Sequence, residues 1–339
     1  MLGAHLTERG RPLVTFALFA YNQERFIREA VEGAFAQTYS PLEIVLSDDH
    51  STDATFEILT ELSGAYSGPH RLVVRRNSRN LGLVAHMDAV AKISMGQVFV
   101  VAAGDDVSVP ERTSRIVDDY LSSEGRFVAL YSALTGIDER SNEMESQKWR
   151  SAGSSDVLAM AAGPHGIFGC SAAYTADIFK RFDAIASEVV HEDLVLPFRA
   201  AMCGEVRFVD SPLVRYRLHE SNIWNRASTQ LTKKEYLRRQ AKCLPNEVGV
   251  ARQRLADLER ARLDRLLDGV ESRRLGGLIR KQLRRSQLEL NVMRGVGSLV
   301  GCSSVGKLLL GASTFKRGVR WAYVRFLPEM KWLNRALLR

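Results

Sequence analysis

The stretch LVTFALFAYNQERFIREAVEGAFAQTYSPLEIVLSDD, residues 13–49, predicts a strand, a helix and a second strand. LVTFALFA (13–20) is an uncharged run of branched and aromatic residues, which is typical of a buried strand. Asn22 is placed to cap a helix, because apolar residues recur at helical spacing over residues 26–35. LEIVL (42–46) has the composition of a second buried strand.

The same alternation continues along the first half of the chain. RLVVR (71–75) and QVFVVAA (97–103) predict a third and a fourth strand, with a helix between them over Leu83 to Ile93. FVALY (127–131) predicts a further strand, and two more are expected after Gly204. Alternating strands and helices predict an α/β fold, with a mixed, mostly parallel sheet flanked by helices.

Composition excludes several classes of protein. The chain has 339 residues, 45% hydrophobic and 25% charged, as expected of a folded domain with an ample core. Its four cysteines form no CxxC pair, which argues against a zinc site or a disulfide framework. MLGAHLTERG at the start has no apolar segment of a signal peptide, and no uncharged apolar run is long enough for a membrane span. We therefore expect a cytoplasmic protein.

Charge divides the chain into two regions. From residue 230 onward there are 25 Lys and Arg against 9 Asp and Glu, so this part carries a net +16. The first 229 residues hold the remaining 22 basic and 30 acidic residues, a net −8. We expect a domain over residues 1–229 that carries the chemistry, followed by a basic, α-helical C-terminal region over residues 230–339.

Polar residues follow three of the predicted strands. Tyr21 and Asn22 come after the first strand, the pair at 48–49 after the second, and Asp105 and Asp106 after the fourth. In open sheets of this kind, ligands bind beyond the carboxyl ends of the strands. The sequence therefore predicts a ligand site at this edge.

The adjacent aspartates Asp105 and Asp106 have two explanations. Mg²⁺ and Mn²⁺ prefer oxygen ligands, commonly one or two carboxylates completed by substrate phosphates. Alternatively, Asp106 begins a turn and caps the helix that starts near Pro110. The sequence has neither a dinucleotide-binding glycine motif after the first strand nor a Walker A loop, so a nucleotide diphosphate would need a metal clamp.

A second acidic pair and one histidine are further candidates. Glu192 and Asp193 could supply a general base, although an acidic pair at the start of a helix also stabilises its dipole. His219 could bind a metal or a phosphate, although a lone histidine is more often a satisfied structural residue.

Five motifs in order resemble the inverting family-2 glycosyltransferases of GT-A fold. The resemblance runs from Val14 to about Asn222, roughly two thirds of the chain. The motifs are YN-x-E and Q-T-Y with DD-x-STD over residues 15–55, NLG (80–82), GDDVSVPER, HEDLVLPFRA, and LVRYRLHESN. A single one of them would be weak evidence, and the specificity comes from the set.

The resemblance implies a role for each matching residue. Asp193 corresponds to the catalytic base and Glu192 to its neighbour, while Asp49 would accept a hydrogen bond from the nucleobase. Asp105 and Asp106 occupy the metal-binding motif, and His219 falls where some relatives contact the metal or the diphosphate. The remaining implied nucleotide-binding residues are Phe19, Ala20, Tyr21, Asn22, Glu24, Asn80 and Gly82.

Two positions depart from the family pattern. Ala103 stands where many members carry a further aspartate, and His86 with Met87 replaces a basic residue followed by asparagine. The first departure bears on the set of metal ligands and the second on donor specificity.

The resemblance also implies an activity and partners. The chain would move a hexosyl or deoxyhexosyl group from a UDP- or dTDP-sugar to an acceptor hydroxyl, with Mg²⁺ or Mn²⁺ as cofactor. A saccharide or lipid-linked saccharide acceptor in surface-polysaccharide synthesis of the O-antigen or capsule type is expected. The alternative is a non-catalytic scaffold or sugar-nucleotide-binding subunit of a membrane assembly complex.

The basic C-terminal region lies outside these motifs. Arginines over residues 252–274 alternate with leucines, and aromatic residues with Lys and Arg follow over residues 306–339. Such basic amphipathic helices often lie on anionic membranes, which would make this a peripheral protein on the inner face of the cytoplasmic membrane. A helical bundle that packs on the first region or forms a homo-oligomer is the alternative, and no nucleic-acid motif is present.

Overall fold

A computed structural model describes residues 10–149, 155–163, 166–219, 222 and 233–296. In this part of the chain nine strands form one mixed sheet in the order β3-β2-β1-β4-β8-β6-β9-β5, with β7 paired to β6. The strands are β1 Val14–Ala20, β2 Leu42–Asp48, β3 Arg71–Arg76, β4 Val98–Ala103, β5 Val107–Ser108, β6 Phe127–Ile137, β7 Glu143–Trp149, β8 Ala173–Thr175 and β9 Glu205–Arg217.

Helices cover both faces of the sheet. The helices of the described residues are α1 Ile27–Phe35, α2 Thr55–Gly64, α3 Leu83–Ile93, α4 Arg112–Ser122, α5 Val157–Ala162, α6 Asp177–Arg181, α7 Leu196–Cys203, α8 Lys233–Leu263 and α9 Gly269–Val296. Short 3₁₀ turns lie at Gly169–Ser171 and Glu192–Leu194. The α/β architecture predicted from the sequence is confirmed.

The central strand β1 is buried along its whole length because helices cover both faces of the sheet. Phe16 and Leu18 belong to the core that contains residues of α1, α2 and α4. Ala17 and Phe19 face the opposite core, with residues of α3, α6 and α7. Burying a side chain the size of Leu or Phe stabilises the fold by about 1.5–3 kcal/mol.

The register of the strands brings their carboxyl ends together. β1 runs parallel to β2 and β4, with Ala20 opposite Asp48 and Phe19 opposite Ala103. The polar residues that follow these strands therefore meet at one edge, as the sequence predicts. β9 is one strand of 13 residues rather than the two expected after Gly204, and its parallel pairing with β6 is irregular around Pro212.

Asn22 does not cap α1, so that expectation is wrong. Its backbone is left-handed, with φ 51°, and its side-chain oxygen accepts from the Thr52 N–H at 2.8 Å. The helix begins only at Ile27, whose N–H donates to the Gln23 carbonyl at 2.9 Å. The side chain of Asn22 instead joins the first strand end to the turn after β2.

The C-terminal helices pack on the rest of the fold. Ala251 and Leu258 of α8 and Ile279 of α9 share a core with Met160 of α5 and Phe198 of α7. Over the described stretch 233–296 the region is helical, as predicted. None of the helices in the described parts of the chain is both long and apolar enough to cross a bilayer. The aromatic and basic segment 306–339 lies outside the described residues.

Candidate active site

A cavity of about 770 Å³ opens at the carboxyl edge of β1, β2 and β4. It brings together residues from all five motif regions singled out in the sequence. Of the predicted site residues, those on its wall are Phe19, Ala20, Tyr21, Asn22, Asp49, Asn80, Gly82, Asp105, Asp106, Glu192, Asp193 and His219.

The end of β1 forms a neutral, largely apolar part of the wall. The Phe19 ring lies edge-on to the His86 ring, with 5.1 Å between centroids, and His86 Nε2 is 2.6 Å from Ser47 Oγ. Burial lowers the pKa of His86 to about 4, so its imidazole is neutral at physiological pH. Tyr21 is 45% exposed at the mouth, where a planar ligand can reach its ring.

Glu24 is not among the residues that line the cavity, and its nucleotide-binding role stays a prediction. Its carboxylate accepts from the Ala54 N–H at 2.9 Å, directly before α2, and its own N–H donates to Asp53 at 3.1 Å. The physical reason is that the first N–H groups of a helix have no partner within the helix. The Glu24 carboxylate accepts a hydrogen bond from one of these N–H groups and so stabilises the start of α2.

Asp49 holds the loop over residues 77–82. One of its carboxylate oxygens accepts from Asn77 Nδ2 at 2.6 Å and the Leu81 N–H at 2.8 Å, and the other accepts from the Gly82 N–H at 2.9 Å. Asn80 also accepts from the Gly82 N–H, at 2.9 Å, where the left-handed φ of 77° favours glycine. Since a carboxylate has about four acceptor sites, roughly one remains for a ligand.

Asp106 is a buried carboxyl group held by β9. Its Oδ1 accepts from the Arg217 N–H at 2.9 Å, and its buried Oδ2 accepts no hydrogen bond from nitrogen or oxygen among the described residues. Burial, and next the charge of Asp105, raise the pKa of Asp106 well above its usual range. The Cys170 thiol hydrogen-bonds to this carboxyl and acts in the opposite direction. A thiol is a weak donor, so a cation or proton at the buried carboxyl would still lower the cost of its burial.

His219 accompanies this pair. Its Nε2 lies 3.0 Å from Asp105 Oδ2, and its ring packs on Phe26 with 4.8 Å between centroids. Two carboxylates and an imidazole are donors that Mg²⁺ and Mn²⁺ accept. Among the described residues, no three such side chains are grouped closely enough to hold a metal ion by themselves. A cation bound here would have to take its other ligands from a substrate.

Glu192 and Asp193 lie on a 3₁₀ turn packed against a glycine-rich loop. The Asp193 carbonyl accepts from the Ile167 N–H at 3.3 Å. A Cβ on Gly166 would overlap that backbone carbonyl, so only glycine permits the approach at this position, whereas one on Gly169 would displace the end of the Glu192 side chain. The loop GPHGIFG (163–169) is visible in the sequence as glycine-rich, but nothing there shows that it packs on the acidic pair.

The acidic pair is desolvated. Asp193 Oδ1 is buried with no hydrogen-bond partner among the described residues. Burial, and next the charge of Glu192, raise the pKa of Asp193 well above its usual range, while Arg254 acts in the opposite direction. Burial also raises the pKa of Glu192 to about 7. A carboxylate with a raised pKa is a stronger proton acceptor than an ordinary aspartate, as general-base catalysis requires.

The remaining wall is apolar and aromatic, and sequence reasoning missed it. Trp149 and Tyr216 meet at right angles, with 5.6 Å between ring centroids. The other apolar residues of this part are Leu134, Ile167, Phe168 and Leu218. Tyr216 lies inside a motif that the sequence singled out, whereas Trp149 carries no sequence signal.

Comparison with known proteins gives one family match. The model described as Glycosyl transferase family 2 matches residues 15–182. An uncharacterized protein of Mycobacterium tuberculosis is 31% identical over 219 residues, which are 63% of this chain and 61% of that protein. An uncharacterized glycosyltransferase of Haemophilus influenzae is 25% identical over 235 residues, 66% of this chain and 72% of that protein. The match thus spans less than two thirds of the mycobacterial relative.

Solved structures match over more of the chain. S. aureus TarS 1–349, crystallised in complex with UDP-GlcNAc, has a TM-score of 0.54 at 14% identity. The match covers 90% of this chain and 81% of that chain. At this identity the likeness shows the fold alone, and it is the GT-A fold expected from the sequence motifs.

Proposed function

Since this chain carries a domain of glycosyl transferase family 2, we propose that it transfers a sugar from a nucleotide-diphosphate donor to an acceptor hydroxyl. One observation carries the proposal: a single cavity is lined by Asp49, by the Asp105–Asp106 pair and by Asp193. These groups can meet the base, the diphosphate and the acceptor of one reaction.

In the proposed mechanism Asp193 is the general base. It takes the proton of the acceptor hydroxyl as that oxygen forms a bond to the anomeric carbon, on the face opposite the diphosphate. The bond between the anomeric carbon and the phosphate oxygen breaks, and the diphosphate leaves with the electron pair. This single displacement inverts the anomeric centre and needs one base, whereas retaining glycosidases need two carboxylates. Glu192 acts on Asp193 through its charge.

The metal part of the proposal rests on Asp105, Asp106 and His219. These residues would hold Mg²⁺ or Mn²⁺, which when bound neutralises negative charge on the departing diphosphate. The buried Oδ2 of Asp106, which accepts no hydrogen bond from nitrogen or oxygen among the described residues, supports this assignment.

The donor is proposed to be a UDP- or dTDP-sugar. Asp49 has about one acceptor site left after its three loop contacts, which suits the N3–H of uracil or thymine. The neutral rings of Phe19 and His86 lie beside it on the same wall. TarS, which shares the fold, was crystallised with UDP-GlcNAc and with UDP.

The rate of transfer is expected to fall at low pH. The base must be ionised, and burial raises its pKa, so activity is complete above the raised pKa and is lost as the pH falls through it. An ordinary aspartate would give an acid limb of kcat at about pH 4. The acid limb of this enzyme should therefore lie at a higher pH, nearer neutrality. Glu192→Gln, which removes the neighbouring charge, should move the limb to lower pH. An acid limb at about pH 4 that Glu192→Gln leaves in place would contradict the assignment.

The acceptor is proposed to be a lipid-linked saccharide met at an anionic membrane. α9 carries seven basic and two acidic residues. Its exposed cations include Arg273, Arg274, Arg280, Lys281 and Arg284. A row of this kind is attracted to anionic lipid headgroups.

Binding to vesicles tests this surface. Each cation near an anionic membrane contributes about 1 kcal/mol, so replacing Arg280, Lys281 and Arg284 together by alanine should weaken partition onto phosphatidylglycerol vesicles by about 100-fold. Phosphatidylcholine vesicles are the control and should bind neither form. Equal sedimentation of the two forms with anionic vesicles would show that α9 does not bind the membrane.

A further inference from the structure

One face of α8 carries a buried polar stripe. Asn246, Gln253, Arg254 and Asp257 recur at helical spacing and are 3%, 7%, 0% and 2% exposed. The face that a helix packs on its domain is ordinarily apolar, and buried polar groups are costly unless they are hydrogen-bonded. The stripe therefore requires a specific set of partners.

Most of those partners lie in the segment over residues 186–199, which contains Asp193, and Arg254 also reaches the carbonyls of Met160 and Gly163. Asn246 Oδ1 accepts from the Val190 N–H at 2.7 Å, and its Nδ2 lies 2.8 Å from His191 Nδ1. Gln253 Oε1 accepts from the Ala186 N–H at 2.8 Å.

Asp257, the last residue of the stripe, forms a buried ion pair with Arg199. Asp257 accepts two hydrogen bonds from the Arg199 guanidinium, at 2.8 and 2.9 Å. The helix thus contacts the backbone before the acidic pair and a side chain after it.

Arg254 makes the contacts nearest to the base. Its Nε and Nη2 donate to the Leu194 carbonyl at 3.0 and 2.6 Å. Its Nη1 donates to the Gly163 carbonyl at 2.8 Å and to the Met160 carbonyl. One guanidinium therefore joins the residue that follows Asp193 to the start of the glycine-rich loop packed on Asp193.

From this geometry we infer that Arg254 is a positioning residue for Asp193, so that α8 is part of the active centre although the family match ends at residue 182. The inference rests on the proposed function, in which Asp193 is the base. Lysine cannot replace arginine here, because a single ammonium lacks the planar fork that reaches three carbonyls.

Arg254 also acts on Asp193 through its charge. The charged and titratable groups that face Asp193 are Glu192 on the same turn, Tyr174 on β8 and Arg254 on α8. Arg254 is the cation among them and lowers the pKa of Asp193, while Glu192 raises it. Loss of the guanidinium charge should therefore move the acid limb of the rate to higher pH.

The test compares Arg254→Met and Arg254→Lys with Arg252→Met, an exposed position on the same helix. Hydrogen–deuterium exchange of the full chain is measured over residues 158–170 and 186–196. Turnover is followed as nucleoside diphosphate released from whichever of UDP-glucose, UDP-GlcNAc and GDP-mannose the wild type hydrolyses fastest, across the pH range.

We expect faster exchange in both segments for the two Arg254 variants. Arg252→Met should exchange at the wild-type rate. Misplacing the base should lower kcat by about 100-fold, and only Arg254→Met, which loses the charge, should shift the acid limb to higher pH. Unchanged exchange in both segments, or wild-type kcat and pH dependence in Arg254→Met, would overturn the inference. A wild type that releases no nucleotide from any donor counts against the proposed function, whereas the exchange experiment still decides the role of Arg254.

Discussion

Replacing Asp193 by asparagine is expected to lower the rate of sugar transfer by about 10²- to 10⁴-fold, the usual contribution of a positioned general base. Asparagine has nearly the same shape but cannot accept the proton of the attacking hydroxyl. Because Asp193 Oδ1 has no hydrogen-bond partner among the described residues, the substitution breaks no hydrogen bond at that oxygen. It also removes a buried charge, so folding stability should not fall.

The measurement is nucleoside-diphosphate release with a donor that the wild type turns over. Affinity for UDP should stay at the wild-type value, since the base acts on the acceptor. Asp118→Asn, an exposed aspartate on α4, is the matched control and should behave as wild type. Wild-type turnover in Asp193→Asn would show that Asp193 is not the general base. Nucleotide binding with no turnover in either form would favour the scaffold alternative.

Replacing Asp106 by asparagine is expected to lower turnover by about 10²- to 10³-fold, comparable to the loss of one group that stabilises developing charge. The asparagine oxygen can still accept from the Arg217 N–H, which Asp106 Oδ1 now accepts at 2.9 Å. What changes is Oδ2, the buried oxygen that accepts no hydrogen bond from nitrogen or oxygen among the described residues. The variant therefore separates the proposed metal contact from the structural one.

Electron paramagnetic resonance of Mn²⁺ in the presence of UDP measures that contact. The wild type should bind the ion in a ternary complex, and Asp106→Asn should leave it free in solution at the same concentrations. Asp118→Asn again serves as the control for loss of one carboxylate. Undiminished Mn²⁺ binding together with undiminished turnover would show that Asp106 is not a ligand.

The main strands, and the meeting of the polar residues that follow them, could be predicted from the sequence. The strands β1 and β4 are buried runs without charge, and β2 is a buried run that carries Glu43 and Asp48. Their short length and branched residues favour strands over helices. Because β1, β2 and β4 run parallel, the polar residues that follow them necessarily meet at one edge.

The errors arose where a polar side chain has a partner far away in the chain. Asn22 looks like a helix cap, but its side chain accepts from the Thr52 N–H in the turn after β2. Arg254 looks like part of a basic outer face, yet it is fully buried under the base. Its neighbour Arg252 is exposed. Periodicity alone cannot separate the two, because the difference depends on which carbonyls the fold brings beneath the helix.

The central claim is a metal-assisted nucleotide-diphosphate site, and calorimetric titration tests it most directly. UDP, dTDP and GDP are each titrated into the full chain with Mn²⁺ and again with EDTA. The account predicts that UDP or dTDP binds in the presence of Mn²⁺ and that the binding is lost with EDTA or in Asp106→Ala. Absence of binding for all three nucleotides in both conditions would contradict it.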